Sequence, residues 1–233
     1  MSQVMACIDG SLSSPAVCDY AAWASLRLGA PLTLLHVLDH KQYPPLSNLS
    51  GNIALGSREQ LLQELAELDQ QRSTLALEQG RLALEAAKQR AQRDGVSNPQ
   101  LRQRHGDLVT CLGELEQDIR LLVIGRQGET SDAVSQLVGS HLESVIRTLH
   151  RPILVTPGQF HPPRSLMLAF DGSPTCHKGI DMLAASPLFK GLPIHVLMVG
   201  ADTGPAWEQL KEAEQRLVKG GHEVQLAIRA GEV

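Results

Sequence analysis

A doubly wound α/β fold on a five-stranded parallel sheet, followed by a partial second copy of the same unit, is what this sequence predicts. Three observations carry that reading. Short continuous apolar runs, such as Leu32–Leu38, have the composition of strands covered on both faces. Helical patterns separate these runs, as expected for right-handed crossovers between parallel strands. The opening of the chain also recurs. Ala6-Cys7-Ile8-Asp9-Gly10-Ser11 returns as Leu168-Ala169-Phe170-Asp171-Gly172-Ser173, and Leu35-His36-Val37 returns as Leu197-Met198-Val199, both at an offset of 162 residues.

Taken in order, Val4–Ile8 reads as the first buried strand and Asp9-Gly10-Ser11 as the turn after it. Pro15 to Leu28 has helical periodicity and stops at Gly29. Leu32 to Leu38 is the second strand, and residues 40–57, rich in Pro, Gly, Ser and Asn, read as a long loop. A polar helix follows from Arg58 to Arg93, with Leu61, Leu62, Leu65 and Leu68 marking one face. Gly80 is a candidate division of that helix, because glycine costs about 1 kcal/mol in a helix interior. Leu101–His105 is the third strand, Asp107–Gln117 a short helix capped by its acid, and Leu121–Ile124 the fourth strand. A glycine-containing loop leads to a helix from His141 to His150 and a fifth strand, Ile153–Thr156.

These elements place one complete unit at 1–158 and a Pro-rich linker at 159–164, stiffened by Pro162-Pro163. An incomplete second unit occupies 165–233. The third-strand ends correspond as His105-Gly106-Asp107-Leu108 and Ala230-Gly231-Glu232-Val233. There the offset has dropped to 125 residues, because the first copy carries 37 more residues in its loop and second helix.

Composition excludes several classes of function. Lys plus Arg total 21 against 25 Asp plus Glu, a net charge of −4 that gives no general attraction to nucleic acid or anionic lipid. Aromatic residues are 3% of the chain, too few for a base-stacking platform. No apolar run approaches the roughly 20 residues needed to span a bilayer. The opening MSQVMACIDG lacks the basic head and apolar stretch of a secretion signal, so a cytoplasmic location is expected. Cys7, Cys18, Cys111 and Cys176 form no CxxC pair and read as reduced thiols. Cys7 and Cys176, beside the first-strand turns, are the candidates for modest oxidation. No metal site is expected from the scattered histidines, and His36, at a strand end, reads as solvent-exposed or hydrogen-bonded rather than ligating.

The sharpest local pattern is Gly125-x2-Gly128-x10-Gly139-Ser140, which follows an apolar strand and opens a helix. Backbone N–H groups approach phosphate oxygens where no side chain intervenes, and a helix N-terminus favours anions. Read alone, the same glycines also suit a surface turn and a helix cap. Asp9 likewise has two readings, a ligand contact or a cap for the turn at Ser11–Pro15.

Together with strand-borne Asp9 and Leu35-His36-Val37, this pattern resembles the universal stress protein family in its tandem two-domain form, with the second domain truncated. The resemblance covers essentially the whole chain. It implies a Rossmann-like fold of the adenine nucleotide alpha hydrolase type, with ATP as the ligand of the first domain. It places Asp9 beside the adenosine and the Val37 backbone against adenine. Ile124 and Gly125 then border the ribose and first phosphate, while Gly128, Gly139 and Ser140 hold the phosphates, followed by His141 and Leu142. In the second copy only Asp171 and Val199 match, on the adenosine side. The sequence departs from the family pattern in three respects. Ten residues instead of nine separate Gly128 from Gly139, Glu129 and Asp132 lie in that loop, and Leu142 replaces a hydroxyl residue. The two acids would repel phosphate unless a metal ion such as Mg2+ intervenes.

The function this implies is a cytosolic stress-response protein that binds adenine nucleotide and acts through nucleotide-sensitive contacts with a protein partner. No motif places a general base beside the glycine loop, so no catalytic residue is assigned. A slow ATP hydrolase and an interaction scaffold with a decayed nucleotide site are the alternatives. The resemblance also implies a homodimer paired along the fifth strand, which a Leu154→Pro substitution should obstruct.

Overall fold

The computed structural model describes residues 2–38, 58–126 and 140–231. Gly128, Glu129, Asp132 and Gly139, the loop at 40–57 and the Glu232-Val233 end lie outside the described residues. The chain folds as two compact units, Met1–Phe160 and His161–Val233.

The first unit runs β1 (Gln3–Cys7), α1 (Ser14–Leu28), β2 (Leu32–Leu38), α2 (Arg58–Arg93), β3 (Gln100–His105), α3 (Leu108–Leu115), β4 (Ile119–Gly125), α4 (Ser140–Thr148) and β5 (Ile153–Thr156). All five strands are parallel, in the order β3-β2-β1-β4-β5. β2, α2 and β5 have the limits read from sequence, and the other ends of the first unit shift by at most two residues, as fraying and capping ordinarily allow. β1 ends at Cys7, although the Ile8 N–H still bonds the Leu35 carbonyl at 2.8 Å. α3 closes at Leu115, and a single 3-10 turn, Glu116–Asp118, replaces its expected last turn. Asp107 caps α3 as read from sequence, its carboxylate accepting the Thr110 N–H at 3.0 Å.

α2 is continuous through Gly80, which corrects the expected division. The glycine is there for close approach. A Cβ at Gly80 would stand 2.5 Å from both His36 Nε2 on β2 and Gln103 Nε2 on β3. The missing side chain thus lets α2 lie directly on the two strands, and tertiary packing outweighs the local cost of glycine.

Met5, Leu35, Leu112, Ile119, Leu122 and Val145 form the core on one face of this sheet. β5 is the outer strand. Its pairing corrects the choice of Leu154 as the residue to test. The Pro152 carbonyl accepts the Leu122 N–H and the Thr156 carbonyl accepts the Arg126 N–H, so alternation turns the Leu154 backbone toward β4 as well. Val155, 39% exposed, is the residue whose backbone groups face the open edge.

The second unit runs β6 (Leu166–Ala169), α5 (Pro174–Ala185), β7 (Ile194–Val199), α6 (Gly204–Lys219) and β8 (Val224–Arg229). Its parallel strands pair in the order β6-β7-β8, as β1, β2 and β3 do in the first unit. Phe170, Ile180, Ile194, Val196, Leu210 and Leu217 build its core.

Candidate functional site

In the order β3-β2-β1-β4-β5 the chain turns one way from β1 and the other way from β4. Such a reversal opens a crevice at the carboxyl ends of the two central strands. Asp9 follows β1, Val37 lies near the end of β2, and Ile124 and Gly125 end β4. The fold therefore brings these four positions to one end of the sheet. Ser140 and His141 open α4, and Leu142 follows them in its first turn.

The Asp9 carboxylate organises the turn out of β1. Its Oδ1 accepts the Ser11 N–H at 3.0 Å and the Ser14 hydroxyl at 2.8 Å. Ser14 Oγ in turn accepts the Gly10 N–H at 3.0 Å, and Gly10 holds φ at +82°, where a side chain would be strained. Asp9 thus holds the turn at Ser11–Ser14 rather than capping α1, whose N-cap is Ser13, and the same bonds fix the carboxylate at the mouth of the crevice. Asp171 repeats the bond to the residue two places on, accepting the Ser173 N–H at 2.9 Å. Hydrogen bonds from Cys176 and from Ser173 hold the Asp171 carboxyl down to about 2.

Val37 contributes through its backbone. The Leu35 carbonyl accepts the Ile8 N–H on the β1 side, whereas the Leu38 carbonyl accepts the Gly106 N–H on the β3 side. Strand alternation therefore turns the Val37 N–H and C=O toward β1, one step beyond the bond made by Ile8. One donor and one acceptor on a single residue form the pair that reads the edge of a planar base. Val199 is placed in the same way: the Leu197 carbonyl accepts the Phe170 N–H at 2.8 Å, and the Gly200 N–H bonds the Arg229 carbonyl on the opposite side.

Two assigned residues belong to the core by their side chains. Ile124 is 6% exposed and Leu142 is 4% exposed, both within the apolar cluster around Met5 and Leu122. Leu142 thus offers the site no side-chain group, and the substitution of a hydroxyl residue there is explained by packing. Gly125 turns its backbone toward β1, since the neighbouring Ile124 and Arg126 face β5.

Of the two readings of His36, the hydrogen-bonded one holds and the solvent-exposed one does not, since the side chain is buried. Its Nδ1 donates to the Ile8 carbonyl at 2.7 Å, which ties the end of β1 to β2 just before the Asp9 turn. Sequence reasoning did not foresee this supporting role, because it depends on α2 laying Gly80 against the same imidazole.

The expectation that Cys7 is modestly oxidisable is corrected. Burial, and then the Asp9 carboxylate, push its thiol from 9.0 up to about 12. Burial likewise pushes Cys18 up to about 12, and its thiol donates to the Ala87 carbonyl at 3.1 Å. Because thiolate is the reactive form, iodoacetamide at pH 8 should leave Cys7 and Cys18 unmodified in the folded protein and alkylate them after denaturation. Intact-mass measurement before and after urea checks this, and rapid native labelling at Cys7 would contradict it. Both folded values lie above the unfolded one. The corresponding stability is therefore complete below about pH 9 and is lost as pH rises toward about 12.

Among the described residues no three His, Cys, Asp or Glu side chains stand together as a metal site, and no helix is long and apolar enough to cross a membrane.

Comparison with known proteins agrees with this architecture. A model of the universal stress protein family matches residues 1–157. Universal stress protein Slr1230 of Synechocystis sp. is 34% identical over 235 residues, covering 99% of this chain and 82% of that protein. Universal stress protein Rv1996 of Mycobacterium tuberculosis is 24% identical over 129 residues, 49% of this chain and 40% of its own length. The crystal structure of a universal stress protein from Archaeoglobus fulgidus superposes with a TM-score of 0.63 at 18% identity, covering 99% of this chain and 79% of that one, a likeness of fold. The family match and the Slr1230 alignment establish that the chain belongs to the universal stress protein family.

Proposed function

We propose that this universal stress protein binds ATP in its first unit, at the crevice between the carboxyl ends of β1, β2 and β4. In this reading it acts through nucleotide-sensitive contacts with other proteins. One observation carries the reading: the outward-turned Val37 amide and carbonyl, the fixed Asp9 carboxylate and the Gly125 backbone converge at the strand-order reversal. Adenine pairs with Val37, and the ribose lies between Asp9 and Gly125. The phosphates run toward the α4 N-terminus at Ser140 and His141, where backbone N–H groups and the helix dipole favour anions, and the family pattern adds Gly128 and Gly139 to the residues that hold them. Mg2+ enters this reading as the nucleotide's counter-ion, offsetting the negative charge that Glu129 and Asp132 add to the sequence of the glycine loop. The second unit repeats only the Asp171 and Val199 part of the arrangement, so ATP is assigned to the first.

Mass analysis of nucleotide released from the purified, denatured protein tests the reading, together with titration of the emptied protein with ATP. Stoichiometric ATP, or saturable ATP binding, is expected. No retained nucleotide and no binding at millimolar ATP would leave the scaffold reading in its place. Conversion of bound ATP to ADP with time would favour a slow hydrolase.

A further inference from the structure

We propose that α2 pairs with α2 of a second copy of this chain, through a stripe of leucines spaced by seven residues. Leu61, Leu68, Leu75 and Leu82 recur at that interval, with Leu65 on the adjoining line. Leu68, Leu75 and Leu82 are 49%, 64% and 54% exposed. They lie well round the helix from Ala76, Gly80, Leu84, Ala87 and Ala91, the face buried against α1, β2 and β3. The first unit thus uses one side of α2 and leaves a second apolar line on a helix whose other exposed positions are largely polar.

Three features select a like helix as the occupant. A straight α-helix drifts about 20° per heptad from a strict seven-residue repeat, so a stripe held in that register matches a helix that supercoils around it. From Leu61 to Leu82 the stripe is about 32 Å long, three heptad repeats. In addition, none of the described side chains from 63 to 75 is buried. A helical segment of that length is marginal in water without tertiary cover, and two copies supply that cover to each other.

Charge sets the direction. Glu59, Glu64, Glu67 and Asp69 against Arg58 make the first part of α2 acidic, and Arg72 and Arg81 against Glu78, the ion-pair partner of Arg81, leave the next part slightly basic. Parallel pairing would set the acidic stretch against itself. Antiparallel pairing centred between Gln71 and Arg72 sets Leu68 opposite Leu75 and Leu61 opposite Leu82, and lays the acidic stretch along the stretch of the second copy that holds Arg72 and Arg81. A two-fold axis through that centre closes the contact in a dimer.

Hydrogen exchange of the full chain, read at residues 63–75 over a series of protein concentrations, tests the pairing directly. Protection there should fall by about tenfold or more on dilution into the monomer range, as light scattering reports the loss of dimer. In Leu68→Glu/Leu75→Glu it should be absent at every concentration. Both substitutions are at exposed positions and glutamate is a good helix former, so the remainder of the first unit should keep its protection. Rapid exchange at 63–75 in the unsubstituted protein at all concentrations would overturn the proposal. So would protection that is independent of concentration, because the stripe would then be covered within one chain. Retained protection in the double variant would overturn it equally.

Discussion

Gly80→Val is expected to destabilise the first unit by about 3 kcal/mol, lowering its Tm by roughly 6–12 °C. If Gly80 were an ordinary helix-interior glycine, alanine there would stabilise the protein by about 1 kcal/mol. The packing reverses that sign. The new Cβ meets the ends of His36 and Gln103 at once. Gln103 has room to swing aside, because its amide is held by one hydrogen bond to the Leu77 carbonyl. His36 does not: it is 8% exposed and its Nδ1–H is committed to the Ile8 carbonyl. Either the imidazole gives up that bond or α2 lifts off β2. Gly80→Ala should therefore cost about 1–2 kcal/mol net, with valine worse for its branched side chain. In a His36→Ala background the cost of Gly80→Ala should shrink or reverse, a coupling that thermal denaturation of the four proteins measures as a cycle. A stabilising Gly80→Ala in the unsubstituted protein would show that α2 does not need the close approach.

Val37→Pro should weaken ATP binding by about 30-fold, corresponding to roughly 2 kcal/mol, while leaving the sheet assembled. Proline removes the N–H that is turned toward the crevice. The ladder to β3 uses the residues on either side, as the bond from the Gly106 N–H to the Leu38 carbonyl shows. His36 is already extended within β2, which is the conformation that proline requires of the residue before it. An adenine nitrogen that had accepted the Val37 N–H would be left facing a pyrrolidine ring without a donor. Val199→Pro makes the same change at the corresponding place in the second unit and should leave the affinity of the first unit unaltered. Calorimetric titration with ATP, alongside melting curves, distinguishes a lost contact from a lost fold. Unchanged affinity in a folded Val37→Pro protein would remove Val37 from the site.

The elements, their kind and their repetition were legible along the chain. The apolar run Leu32–Leu38 had to be a strand covered on both faces, and its limits were legible to the residue. Asp107, three residues before Thr110, was legible as a cap because donor and acceptor are neighbours in the chain. The paired Asp9 and Asp171 turns were legible for the same reason, and their matching bonds to Ser11 and Ser173 follow from identical local spacing. The family pattern indicated which residues should approach a nucleotide, and the strand order brings Asp9, Val37, Ile124 and Gly125 to one end of the sheet.

Which way these residues face, and how closely the elements approach, emerged only on packing. Leu154 and Val155 are equally apolar and strand-prone, but register against β4 turns the backbone of one inward and leaves the other at the open edge. Leu142 stands where a ligand contact was expected, and packing against Met5 and Leu122 makes it core. Cys7 looked reactive beside a turn until burial and the nearby Asp9 carboxylate raised its thiol. Gly80 looked like a helix break until His36 and Gln103 came against it. One cause is common to all four. Propensity, capping and turn chemistry act between chain neighbours and can be read along the sequence. Register, burial and close approach arise between residues far apart in the chain, and come into being only when the sheet and its helices are packed together.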